Sequence, residues 1–353
     1  MTSPAERYDF ASDSTAAICP PAWVALEKAN AATEISYGDD KWTRHVIELV
    51  REIFETDCEV FLVFNGTAAN ALALAHLCRS YHGVICHERA HCQTDECGAP
   101  EFFSGGAKLI LASGANGKLD GISVAAALAR HPDVHSSKPR ALSLTHATEF
   151  GTVYQRDEIG AITEFARRHS LFVHMDGARF ANAVAALDCS PKSITWDLGV
   201  DVLCFGGTKN GTAAGELVIF FNKELAHEFD YRAKQGGQLA SKMRFLAAPW
   251  VGLLQGGGWL ENARRSNSFA QLLAYKLAAA LGSDPVFPCE ASAAFFRMPE
   301  SLVAHLHERG WRFYKFLEPD VYRLMCAWST TEQQIDEFVA DVRNSLAGKG
   351  NDA

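Results

Sequence analysis

The chain has 353 residues, a formal net charge of −9, 48% hydrophobic residues and 21% charged residues. These are globular proportions, with length enough for one large domain and a smaller partner, and the acidic balance argues against a nucleic-acid-binding surface. No apolar run reaches membrane-spanning length, and the start "MTSPAERYDFASDST" has no basic stretch leading into an apolar one, so the chain reads as cytoplasmic, with no signal peptide and no membrane partner.

In chain order, "PAWVALEKANAAT" after Pro20-Pro21 predicts a helix. "HVIELVREIF" predicts another, with Val46, Leu49, Val50 and Phe54 on one face. "CEVFLVF" predicts a buried strand that passes through "NGTAANALALAHLC" into a helix. Strands follow at "GVICH", "KLILAS", "RALSLTH", "LFVHMDG", "DVLCFGG" and "ELVIFF", with helices at "GISVAAALARH" and "EIGAITEFARRH". Buried strands alternating with helices predict an α/β fold with a mostly parallel sheet. Beyond it lie a helix at "FAQLLAYKLAAAL", strands at "AAFFRMP" and "VYRLMCAW", and a helix at "STTEQQIDEFVADVRNSL". That last helix has Ser329 and Glu332 placed as a capping box, and Ile335, Phe338, Val339 and Val342 on its apolar face. This predicts a smaller C-terminal α+β domain, with "AGKGNDA" as a frayed tail. The ten cysteines form no C-x-x-C pair and several sit in apolar runs, which reads as reduced, buried thiols.

One string points elsewhere. "CHERAHCQTDEC" contains His87-Glu88-Arg89-Ala90-His91, an H-E-x-x-H, which in zinc hydrolases puts two imidazoles on one helix face with the glutamate as base. Here the string follows a predicted strand, and Gly98-Ala99-Pro100 ends any helix. Thr94 and Cys97 stand where the extended pattern needs glycine and a third histidine. The predicted metal is therefore none, with His87 and Glu88 as solvated spectators.

The strand ends carry a more coherent set, since ligands of parallel α/β sheets sit at the carboxyl ends of the strands. Asn65-Gly66-Thr67 opens a helix after a buried strand and offers free N–H groups to an anion. Asp176 ends "FVHMD", and Lys209 follows "FGGT" about thirty residues later. A carboxylate and an amine in this layout suit pyridoxal 5'-phosphate, the first pairing with the pyridine nitrogen and the second forming a Schiff base.

With "SD" at Ser12-Asp13, "YGDD" at Tyr37 to Asp40, "AH" at Ala90-His91, "TH" at Thr145-His146, "DGAR" and Arg323 in "YRLM", these motifs stand in an order that resembles the low-specificity L-threonine aldolases of the beta-eliminating lyase family. The resemblance runs from Phe10 to Arg343. It implies the aspartate-aminotransferase-like (type I) fold of pyridoxal-phosphate enzymes: residues 1–20 reaching the site, 21–250 as the cofactor-binding domain, and 251–353 as the small domain. It implies cleavage of L-threonine and related β-hydroxy-α-amino acids to glycine and an aldehyde. By resemblance, Lys209 is the Schiff-base lysine, Asp176 meets the pyridine nitrogen, and Asn65, Gly66 and Thr67 hold the phosphate. His91 stacks on the ring. Ser12, Arg179 and Arg323 hold the substrate carboxylate, for which a guanidinium fork is suited. His146 lies near the substrate hydroxyl. Tyr37 comes from a neighbouring subunit, and Lys234, or Lys242 or Arg244, makes a phosphate or intersubunit contact. The implied assembly is a homodimer or homotetramer with the active site at the dimer interface.

The chain departs from the family pattern at Thr208 before the lysine, where serine is usual, at Ala147 with Glu149 nearby after Thr-His, and after His91, where the usual Glu-x-Gly-Gly becomes Glu96-Cys97-Gly98-Ala99. These departures bear on side-chain preference rather than on the cleavage. The base that takes the hydroxyl proton is His91, His146 or a water they hold. The competing readings are another pyridoxal-phosphate reaction on an amino acid, such as β-elimination or transamination, a zinc hydrolase, and a non-catalytic relative.

Overall fold

The computed structural model describes residues 5–348. The tail predicted at residues 347–353 lies mostly outside them, as do the first four residues. The main sheet has seven strands: β1 (Glu59–Val63), β2 (His82–His87), β3 (Lys108–Ala112), β4 (Lys138–Thr145), β5 (Phe172–Gly177), β6 (Val202–Phe205) and β7 (Glu216–Phe220). Their order is β1-β7-β6-β5-β4-β2-β3. The pairs from β3 to β6 are parallel, while β7 runs antiparallel to both of its neighbours, β1 and β6. The sheet is mainly parallel, as predicted. Since β7 reverses twice, β1 points the same way as β6, and the carboxyl ends of β1, β4, β5 and β6 meet on one edge.

Helices cover both faces: α1 (Pro20–Asn30), α2 (Lys41–Phe54), α3 (Gly66–Leu77), α4 (His91–Thr94), α5 (Ala99–Ser104), α6 (Gly121–Ala129), α7 (Arg156–Arg168), α8 (Phe180–Leu187), α9 (Phe229–Gln235) and α10 (Arg244–Leu254). Strand alternation divides the core in two. Val84, Cys86, Val202, Cys204, Val218 and Phe220 turn to the face of α3 and α9. Ile85, Leu203, Phe205, Leu217 and Ile219 turn to the face of α2, α7, α8 and α10. Both faces being covered is why these strands read as unbroken apolar runs. In α2, Val46, Val50 and Phe54 are buried and Leu49 partly so. Its N-terminus is closed by Asp40, whose Oδ1 accepts from the Thr43 N–H at 2.9 Å.

The long helix α11 (Gly258–Leu281) leads to α12 (Glu300–Glu308), a second sheet ordered β8-β10-β9 and α13 (Glu332–Gly348). That sheet comprises β8 (Ala293–Arg297), β9 (Tyr314–Leu317) and β10 (Val321–Met325), all antiparallel. Trp259 and Ala263 of α11 belong to the core of the main sheet, while Ala270, Leu273 and Leu277 belong to the core of the second. Phe10 packs in that second core, 5.8 Å from Trp311 and 5.2 Å from Phe338 between ring centroids. Among the described residues no helix is long and apolar enough to cross a membrane.

The capping box of α13 is not Ser329 with Glu332. Thr331 takes the cap: its Oγ1 accepts from Gln334 N–H at 3.3 Å, and Gln334 Oε1 accepts from Thr331 N–H at 2.8 Å. Glu332 instead binds Lys276 of α11 at 3.0 Å.

Candidate active site

The shared edge holds a cavity of about 220 Å³ whose lining includes Ser14, Asn65, Gly66, Thr67, Asn70, His91, Asp176, Thr208, Lys209 and Glu216. They come from the carboxyl ends of β1, β2, β5 and β6, from the start of β7 and, for Ser14, from the N-terminal segment. Asn65 caps α3, its Oδ1 accepting from Ala68 N–H at 2.9 Å, while its carbonyl takes Ala69 N–H. Among the described residues the N–H groups of Gly66 and Thr67 have no partner, and a Cβ built on Gly66 would point into open space. That is a donor pair at a helix N-terminus facing a cavity, the requirement for holding a phosphate.

Asp176, the penultimate residue of β5, is buried. Its Oδ1 accepts from Ala178 N–H at 3.0 Å and its Oδ2 from Asn70 Nδ2 at 3.0 Å, two donors that hold a carboxylate in place. Lys209 stands on a tight turn after β6. A Cβ on Gly206 would lie 2.3 Å from the Ala178 carbonyl, so only glycine lets that turn pass so close to β5. Glu216 of β7, buried beneath the turn, accepts from Gly207 N–H at 2.5 Å, and burial pushes its carboxyl up.

His91 opens α4 and lines the cavity. Its Nδ1 lies 2.8 Å from Oε1 of the buried Glu96, a hydrogen bond that pushes the imidazole above its ordinary value. Asn70 Nδ2 donates to that same oxygen at 2.8 Å. Beneath Asp176, His174 is fully buried, with Ser143 Oγ 3.0 Å from Nδ1 and Cys204 Sγ 3.2 Å from Nε2. Burial depresses it to about 4, so it is neutral.

Arg179 is not open. It is buried with Asp13, its Nε donating to Oδ2 at 2.6 Å and an Nη to Oδ1 at 3.0 Å. Ser12 caps the turn that presents Asp13, its Oγ accepting from Ser14 N–H at 3.1 Å. Arg323 of β10 lies in an adjoining cleft of about 320 Å³ with Arg89, Thr94, Asp95, Glu149 and Tyr314. Burial and the neighbouring Arg179 guanidinium hold it below its ordinary value, against Glu149 and Asp13. His146 is fully buried and lines neither space. Its ring meets Tyr154 edge-on at 5.8 Å, and burial depresses it to about 3. Tyr37 and Lys234 come together away from the cavity, with the Lys234 ammonium 4.9 Å from the Tyr37 ring centre and the ring half exposed. Lys242 and Arg244 are likewise off the cavity lining, and Arg244 donates to the Ala29 carbonyl at 3.3 Å.

The H-E-x-x-H string spans a strand end, a turn and a helix start, so its two imidazoles do not share a helix face. His87 is not a solvated spectator. It is buried at the end of β2, with Nε2 3.1 Å from the Gly114 carbonyl and Nδ1 accepting from Arg89 N–H at 3.1 Å, so both nitrogens serve backbone groups. Glu88 is exposed, as read. Sequence reasoning missed Asp13, Asn70, Glu96 and Glu216 as parts of the site. For Asn70 the signal was present: it is the one amide inside the otherwise apolar helix "AANALALA".

The model of the beta-eliminating lyase family matches residues 9–294. This chain belongs to the beta-eliminating lyase family. Within that family it is 54% identical over 338 residues to a low specificity L-threonine aldolase of a Pseudomonas species, covering 96% of this chain and 98% of that one. It is 27% identical to the low specificity L-threonine aldolase of Escherichia coli K12, over 96% and 99% of the two chains. A threonine aldolase structure from Leishmania major superposes with a TM-score of 0.90 at 26% identity, covering 96% of this chain and 99% of that chain. For a member of this family the cavity's contents fit pyridoxal phosphate: an amine, a carboxylate held by two donors, and two free N–H groups at a helix start.

Proposed function

We propose that this chain is a pyridoxal-phosphate-dependent lyase that cleaves L-threonine, L-allo-threonine and related β-hydroxy-α-amino acids between Cα and Cβ, releasing glycine and an aldehyde. The observation that carries the reading is the convergence of Lys209, Asp176, His91 and the α3 N-terminus on one cavity. Lys209 would hold the cofactor covalently through its amine, Asp176 would meet the pyridine nitrogen, and Gly66 and Thr67, with Asn65 as cap, would hold the phosphate. When bound, the cofactor supplies an electron sink for the pair left on Cα as the bond breaks.

The chain's own residues then bind, orient and move a proton. Arg323 takes the substrate carboxylate, with Arg179 and Ser12 behind it. In this arrangement Arg179 also anchors Asp13 and so fixes the N-terminal segment at the site. Holding the carboxylate at one point and the amine at another sets which bond of Cα faces the sink, a contribution of orientation alone. His91 takes the hydroxyl proton, since it lines the cavity and has one nitrogen free. His146, buried and neutral, supports the wall. The polar cleft beside Arg323 receives the substituent on Cβ, and its open, mixed-charge lining suits more than one aldehyde.

The same reading keeps residues 1–20 as a segment that reaches the site, 21–250 as the cofactor-binding domain and 251–353 as the small domain, with α11 contributing to both cores. It places the protein in the cytoplasm, in keeping with ten free cysteines, as a homodimer or homotetramer in which Tyr37 and Lys234 serve the partner's site. The deciding experiment is borohydride reduction of the yellow protein followed by peptide mapping, together with assay of threonine products. Cofactor fixed to Lys209 with release of glycine supports the reading. A colourless protein, or release of 2-oxobutanoate in place of glycine, overturns it.

A further inference from the structure

Two buried side chains stand behind His91: Asn70, which lines the cavity, and Glu96, which does not. Asn70 and Glu96 are each 2% exposed, on α3 and in the turn after α4. Asn70 Nδ2 donates to Glu96 Oε1 at 2.8 Å and to Asp176 Oδ2 at 3.0 Å, so a single amide nitrogen bridges two carboxylates. His91 Nδ1 lies 2.8 Å from that same Glu96 oxygen. The result is a continuous line, Asp176–Asn70–Glu96–His91, that follows one wall of the cavity.

The chemistry of the line assigns its protons. Glu96 Oε1 accepts from Asn70 Nδ2 and lies 2.8 Å from His91 Nδ1, Oε2 has no partner among the described residues, and the contact with Glu96 pushes the imidazole up, so the proton the two share is assigned to His91. An ionised carboxylate only accepts, so Nδ1 of His91 carries hydrogen and Nε2 is the free nitrogen. We propose that Glu96 is a positioning residue for the cleavage: it locks His91 in the Nδ1–H tautomer with Nε2 free for the substrate hydroxyl, and its charge supports the imidazolium formed when that proton arrives. Asn70 holds Glu96 in place and ties it to Asp176.

The step balances without Glu96 changing state. The hydroxyl O–H bond breaks and an Nε2–H bond forms. The oxygen's pair becomes the second bond of the aldehyde C=O, and the Cα–Cβ pair stays with Cα. The Nδ1 hydrogen remains on His91, as in other carboxylate-imidazole pairs that orient a base. Four charged groups face His91 from separate elements. Glu96, Asp176 and Glu149 favour its protonated form, and Lys209 opposes it. Glu96 is the one bonded to it, and burial pushes the Glu96 carboxyl up against the two donors on Oε1.

This inference rests on the proposed cleavage, and its test is separable from it. The holoenzyme and its Glu96→Gln and Glu96→Asp variants are compared by the pH profile of kcat/KM for L-threonine and by NMR titration of histidine ring carbons, with His91→Asn assigning the signal. Glu96→Gln keeps the shape and removes the charge. Its kcat is expected to fall about 100-fold with KM within about threefold. The His91 midpoint is expected to drop by about one pH unit or more, and the acid limb of kcat/KM to move down with it, because more acid is then needed to protonate a base no longer held beside an anion. Glu96→Asp should recover part of both. An unchanged His91 midpoint in both variants, or an acid limb that stays put while the midpoint moves, overturns the proposal. If threonine is not cleaved by the native protein, the functional reading fails, and the NMR midpoint alone still decides whether Glu96 governs His91.

Discussion

Asp13 and Arg179 illustrate what a single side chain carries here. Both are buried and joined by two hydrogen bonds, so removing one partner leaves a buried charge without its hydrogen-bonded counter-ion. Asp13→Asn is expected to cost about 3 kcal/mol in urea unfolding, whereas breaking the exposed Glu164–Arg167 pair by Arg167→Ala should cost less than about 0.5 kcal/mol. His146 supplies a pH signature of its own. Its folded value near 3 lies below the unfolded value of about 6.5, so the unfolded chain binds the extra proton between those limits and stability falls as the pH drops through that window. His146→Leu should make the decline of stability between pH 6.5 and 5 shallower, by up to about 1.4 kcal/mol per pH unit, in unfolding curves collected across that range. His87→Ala, by contrast, strips a partner from two backbone groups and should lower stability by about 1–2 kcal/mol while leaving the cofactor bound, read by melting and by absorbance.

At the scale of elements, α3 joins stability to binding. Asn65 caps it and stands where the phosphate would sit. Asn65→Ala should cost about 1 kcal/mol through the lost cap. Asn65→Asp keeps the cap but sets a carboxylate beside the phosphate, so it should melt near the native temperature yet release cofactor more readily than the alanine variant, as dialysis would show. The existence of α2, α3 and the buried strands was legible because their periodicity is local. The α13 cap was not. Ser329, Thr330 and Thr331 offer three hydroxyls in a row, and tertiary contacts chose among them: Thr330 Oγ1 takes the Ala327 N–H at 2.9 Å and Lys276 draws Glu332 away, which leaves Thr331.

Across the whole molecule, the site depends on sheet order. The double reversal at β7 brings the end of β1 level with those of β5 and β6, and α11 fastens the second sheet so that Arg323 faces the cleft. Tyr37 and Lys234, paired on the outside of this arrangement, give the assembly a direct test. Lys209→Ala and Tyr37→Ala chains are each expected to be nearly inactive. If Tyr37 completes the partner's site, mixing and reassociating them should restore roughly a quarter of native activity, since half the dimers are hybrids with one intact site of two. Recovery confined to the level of the separate variants would place Tyr37 outside the partner's site.

The sequence by itself determined the α/β class, the mainly parallel sheet, and the polar residues at the strand ends, because burial on two faces and strand-to-helix turns leave local patterns. Asn65, Gly66, Thr67, Asp176 and Lys209 were found that way and His91 through the family resemblance, and all line one cavity. Only the tertiary structure decided which of them touch. Asp13 meets Arg179 across 166 positions and Asn70 meets Asp176 across 106, pairings that depend on which strands lie side by side. Close approach of this kind has no period along the chain. For that reason His87 looked solvated and proved buried, and Glu96, read only as part of a motif after His91, proved to be a buried carboxylate 2.8 Å from the His91 Nδ1.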